Sequence, residues 1–206
     1  MSLDKDSLKA GAELLEVVID TFITPDGLVK DIPVVGSVFS LAEACSTFRN
    51  KRFAKRVAGF LTSFSPEEFE KFKKAIADKN NEDLGEEILS VIENLEKEVQ
   101  VDMVARATKV HVSLLEEGHA PESIKYMFDQ NIHIIKQLDS LLLGGLQEIY
   151  SGRSSCQISL IKQALLNLGL LEQKIDSAKM EIDNSNPSFR TCEFGRLFYK
   201  TIVCGE

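Results

Sequence analysis

The residue types that could do chemistry are present in this 206-residue chain, but they are scattered. Its three histidines, His111, His119 and His133, do not stand at metal-ligand spacing. His111 lies between Val110 and Val112 in a helical pattern, which reads as a packed or half-exposed ring and not as a ligand. Four cysteines, Cys45, Cys156, Cys192 and Cys204, lie far apart with no CxxC pair. They read as reduced thiols of a cytosolic protein, not as a disulfide frame or a zinc site. Cys192 and Cys204 would stand about 18 Å apart along one helix, too far to bridge, and read as two small buried hydrophobes. The carboxylate pairs Glu67/Glu68, Glu86/Glu87 and Glu116/Glu117 fall at helix starts or on polar faces. The first two suit a helix dipole better than acid–base work. There is no Walker phosphate loop, GxGxxG, GxSxG or HExxH. An enzyme needs a nucleophile, a base and an orienting group that converge, and the sequence points to none. The expectation is a protein that is not an enzyme and that needs no cofactor or metal.

Charge supplies the one outlier. The net charge is -8. Residues 49–63 nevertheless hold five bases and no acid: Arg49, Lys51, Arg52, Lys55 and Arg56. These five are the candidate binding residues. One role for them is a solvated helix face that pairs with neighbouring acids. Another is contact with an anionic membrane surface, because the segment before them, Ile32–Phe48, is apolar and rich in small residues. The acidic body argues against general nucleic-acid affinity, which needs Lys and Arg facing phosphates.

The elements that must position these residues are mostly helical. Leu8, Gly11, Leu15, Val18, Ile19 and Phe22 predict an amphipathic helix over 7–23. The segment 32–48 is predicted either as a buried core helix or as a docking surface, with Pro33 in its first turn. Residues 49–63 continue helically, with Phe53, Val57, Phe60 and Leu61 on one side. Ser65-Pro66-Glu67-Glu68 forms a capping box that opens a helix over 66–78, whose apolar face is Phe69, Phe72 and Ile76. Asn81 is expected to cap a helix over 82–98. Further helices follow over 100–117, stopping at Gly118, and from Pro121 to about Leu143, where Gly144-Gly145 ends or kinks the run.

After residues 151–155, the best linker in the chain, the pattern changes. A short helix over 157–168 with Gly169 as its C-cap leads to strand candidates at 170–175 and 188–191, then to a helix over 192–203. That order outlines part of a winged helix. The predicted fold is mainly α: a helical bundle over 1–150 and a winged-helix-like module over 151–206. No run of 18 apolar residues exists, so a membrane span is not expected. The first residues carry four charges and no apolar core, so no signal peptide is expected either.

Two stretches carry a resemblance. Asp31-Ile32-Pro33-Val34-Val35-Gly36-Ser37 followed by Arg49–Phe60 resembles the opening of a group of small bacterial helical proteins. Arg190-Thr191-Cys192-Glu193-Phe194-Gly195-Arg196-Leu197-Phe198-Tyr199-Lys200 resembles the close of proteins classed as abortive-infection alpha, a bacterial phage-defence grouping. The resemblance implies a helical bundle, with Thr191 as a cap, Gly195 at a close-packed position and Phe194 and Phe198 toward the core. It also implies a defence role by association. The leading expectation is a non-enzymatic, cytosolic, bacterial interaction protein with a protein partner, linked to phage defence or its regulation. The alternatives are a membrane-peripheral protein using 32–63 and a winged-helix DNA-binding regulator. The DNA alternative is weakened because 157–168 holds only one base, Lys162.

Overall fold

The computed structural model describes residues 48–77, 82–152, 159–173 and 189–206. The helix expected at 7–23, nearly all of 32–48 and the Asn81 cap lie outside the described residues. The fold is mainly α, with eight α-helices, a π-helix and one two-stranded antiparallel sheet among the described residues. The chain divides into two compact units, Met1–Ile132 and His133–Glu206.

In the first unit, α1 (Phe48–Thr62) and α2 (Pro66–Ala77) are joined by the capping box. The Ser65 N–H donates to Glu68 Oε2 at 2.7 Å, and the Glu68 N–H donates to Ser65 Oγ at 3.3 Å. Pro66 takes the first helical position, where its missing N–H removes no bond. This sharp turn brings three rings together: Phe60 meets Phe64 edge-on at 5.1 Å, and Phe64 stacks on Phe72 at 5.3 Å. Phe60 and Phe72 are fully buried. Phe69 is only half-buried, so of the two rings of α2 Phe72 is the more enclosed.

The helix expected over 82–98 is two helices, α3 (Glu82–Asn94) and the start of α4 (Glu98–Glu116). A local cap marks the break. The Gln100 side-chain oxygen accepts the N–H groups of Glu96 at 3.2 Å and Lys97 at 3.1 Å. These donors would otherwise be orphaned at a helix start. Leu95 stays buried in the turn. Helix α4 is the centre of the unit and packs against α1, α2 and α3. Val101, Met103, Val104, Ala105, Ala107 and Val112 are all buried there. Thr108 is buried with them and spends its hydroxyl on the Val104 carbonyl at 2.9 Å. Gly118, at φ 76, closes the turn after α4.

Helix α5 (Pro121–Gln137) ends six residues earlier than expected, and α6 (Ser140–Ser151) runs straight through Gly144 and Gly145. The reason is Asp139. Its carboxylate accepts the N–H groups of Leu141 at 2.9 Å and Leu142 at 2.8 Å, which starts a new helix. Helix α6 stops at Gly152, in the left-handed region at φ 66.

In the second unit, α6 packs against α7 (Ser159–Asn167), and α7 packs against β1 (Leu171–Gln173). The sequence boundary at 150/151 separates α6 from α7, whereas this packing draws α6 into the second unit. Gly169, at φ 72, ends α7: its N–H reaches the Leu166 carbonyl and the Leu170 N–H the Leu165 carbonyl. Strand β1 pairs antiparallel with β2 (Phe189–Thr191), with Leu171 opposite Thr191 and Glu172 opposite Arg190. Both strands are only three residues long. The helix expected over 192–203 is a short α8 (Glu193–Phe198) that widens into a π-helix, Tyr199–Cys204. The Thr201 hydroxyl donates to the Leu197 carbonyl at 2.8 Å, an acceptor that an α-turn would give to an N–H.

Candidate functional site

The basic island sits on α1. The structure does not describe the side chains of Arg49 and Lys51. Of the rest, Arg56 is the most committed. Its guanidinium donates to the carbonyls of Ile92 at 3.3 Å and Glu93 at 3.0 Å. Those carbonyls end α3, where a cation both fills orphan acceptors and offsets the negative end of the dipole. Burial pulls the Arg56 guanidinium below its ordinary value and Arg52 adds to this, while Glu96 opposes it. An arginine stays charged under such shifts. Lys55 donates to Glu98 Oε1 at 2.5 Å. Both side chains are largely exposed, at 59% and 77%, so this pair adds little stability. Arg52, Phe53 and Arg56 line a shallow cleft of about 340 Å³ together with Glu93–Glu96. Val57 and Phe60 of the same helix have no exposed surface.

A second locus in the C-terminal unit is marked in the sequence only by Gly195. The Tyr150 hydroxyl donates to the Leu170 carbonyl at 2.5 Å and lies 4.0 Å from Cys192 Sγ. Burial pushes the Tyr150 phenol well above its usual range, and Cys192 reinforces the shift. Cys192 is buried and is the N-cap of α8: its sulfur accepts the Gly195 N–H at 3.2 Å and donates to the Gly169 carbonyl at 3.3 Å. The cap is thus Cys192 and not Thr191. Gly195 is close-packed, because a Cβ there would overlap the Leu170 carbonyl oxygen and the Tyr150 hydroxyl. Phe198 is buried and Phe194 half-buried. Cys204 is exposed, so it is not the buried hydrophobe that was expected.

Tyr150 also stacks on Tyr199 at 5.4 Å. The stack borders a cleft of about 510 Å³ that Arg196, Lys200 and Cys204 help to line. The groups that look reactive here are spent on backbone: the phenol and the Cys192 thiol both hold carbonyls. A helical motif could not have revealed them, since Tyr150 and Cys192 meet only through the fold.

The histidines remain separate. His119 contacts Glu117 at 3.2 Å, His133 contacts Gln137, and His111 is buried against Phe128. Among the described residues no group of three or more His, Cys, Asp or Glu side chains could hold a metal ion. No described helix is long and apolar enough to cross a membrane. Compared with protein-family models, curated proteins and solved structures, the chain matches none.

Proposed function

We propose that this chain is a non-enzymatic bacterial interaction protein of the cytosol, acting in phage defence or its regulation. The observation that carries the proposal is the surface of the C-terminal unit. Leu160 is 81% exposed, Leu141 62% and Leu197 56%. These are the exposed leucines among the described residues, all three in one unit; Tyr126 at 72% and Val99 at 42% are the exposed large apolar side chains of the other. Large apolar side chains held in water favour burial against a protein partner. The defence role rests on the resemblance of the 190–200 segment to the abortive-infection alpha group.

The membrane-peripheral alternative has less support. Its apolar face, Val57 and Phe60, is inside the first unit, and Arg56 is bound to α3. The DNA alternative has little, because α7 offers a single base, Lys162. The test replaces Leu141, Leu160 and Leu197 together by Glu in the full chain. The variant should lose the partner captured from the native host by the wild type, and with it any effect of the protein on phage plating. A folded variant that keeps both would overturn the proposal.

A further inference from the structure

His111 lies toward the C-terminal end of α4 and is only 7% exposed. Its ring meets Phe128 edge-on, with centroids 5.0 Å apart. Neither Nδ1 nor Nε2 has a hydrogen-bond partner. A buried imidazole that pairs with nothing is costly when neutral and more costly when charged, because the imidazolium carries two unpaired N–H donors into an apolar seam. On α5, Ile124, Phe128 and Asn131 are buried, and the Asn131 amide makes no hydrogen bond to the ring. One turn away on its own helix are Ala107, Thr108, Leu114 and Leu115, none of which titrates.

The charges that act on the ring come from α5. Lys125 disfavours the imidazolium and Asp129 favours it. Glu87 of α3 reaches Lys125 at 3.2 Å, and Asp129 lies 4.0 Å from the same ammonium. Asp129 is therefore shared with Lys125, and neither carboxylate bonds the ring. Burial is the main cause that holds the ring's pKa below the ordinary histidine value, and Lys125 adds to it.

We propose that His111 is an acid-sensitive latch on the α4–α5 seam: when the ring takes a proton, the seam opens and uncovers Phe128 and Ile124. The sign follows from linkage. The unfolded or opened chain takes its proton near the ordinary histidine value of about 6.5, and the closed chain only at lower pH. The closed form therefore has its full stability above that value. It loses stability as pH falls through the window down to the closed-state pKa, below which the loss is complete.

The experiment compares the full-length wild type with His111→Phe from about pH 8 to about pH 5, the range in which histidine changes charge. Phenylalanine keeps a ring against Phe128 and cannot titrate. The wild-type melting temperature should fall relative to the variant's as pH drops, and amide protection over 124–128 should fall with it. Binding of an apolar dye should rise in the wild type and not in the variant. Histidine NMR on the wild type provides a readout independent of the variant's folding: the His111 resonance should titrate below the ordinary histidine value of about 6.5. Equal pH slopes in the two proteins, or a His111 resonance that titrates at or above about 6.5, would overturn the latch.

Discussion

The two units hold themselves together by different means. In the first, α1 to α4 bury rings and branched aliphatics, with Phe60, Phe72, Ile88, Ile92 and Met103 almost fully enclosed. Its stability is the sum of many dispersive contacts, and each ring can be treated as one share of a common core. In the second unit, the described elements are shorter, and one junction joins several of them. Gly195, Tyr150, Cys192 and the carbonyls of Gly169 and Leu170 meet there through hydrogen bonds and a glycine's missing side chain. A distributed core tolerates rearrangement, whereas a junction of this kind fails as one piece.

Substitutions can break or sharpen that contrast. The largest effect is expected from Phe72→Ala, about 3–5 kcal/mol, because the ring is buried between two others. Phe69→Ala should cost clearly less, since that side chain is half-buried. Denaturant unfolding of both variants checks this, and equal losses would mean that Phe72 is not the anchor of α2. Next comes Gly195→Ala, about 1–3 kcal/mol from overpacking. Its effect should be confined to the C-terminal unit. Two of the chain's three tyrosines, Tyr150 and Tyr199, lie in that unit and there is no Trp, so intrinsic fluorescence mainly reports it. A fluorescence transition that moves together with loss of helical signal from α1–α4 would argue against separate failure. The smallest is Asp139→Ala, about 1 kcal/mol for a lost N-cap. Amide exchange at Leu141 and Leu142 should accelerate first. Unchanged protection there would show that the start of α6 is fixed by packing alone.

These contrasts also explain what could be read from the sequence. The Ser65–Glu68 box, Pro121, Gly118 and Gly169 act on neighbours within one turn, so local pattern was enough to place them. The break at 95–97 combines a local cap, Gln100 accepting from Glu96 and Lys97, with the Arg56 guanidinium, which serves the end of α3 from another helix, and the apolar period of 82–98 runs through it unbroken. Asp139 was readable in principle as a cap. It was hidden because Leu138 and Leu142 keep the helical phase on either side of it. The basic island was found by composition, but composition could not say that Arg56 would serve the end of α3. The Tyr150–Cys192–Gly195 junction left only one trace, the glycine, since bonds between residues 42 apart produce no periodicity. The buried face of α4 was expected, yet nothing in the sequence distinguished His111 as its unpaired member.

The bond from Tyr150 to Leu170 and the overlap forbidden at Gly195 also have a kinetic consequence. Joining residues 150 and 195 closes a long loop, and the loop's entropy is lost before the contact returns anything. The capping box, by contrast, closes over three residues. Local turns of that kind suit an early folding nucleus, and the junction belongs to the last steps of assembly. Tyr150→Phe should therefore raise the unfolding rate while leaving the refolding rate nearly unchanged, the behaviour of contacts absent from the transition state. The C-terminal unit's lifetime, more than its rate of formation, would then rest on one phenolic hydroxyl.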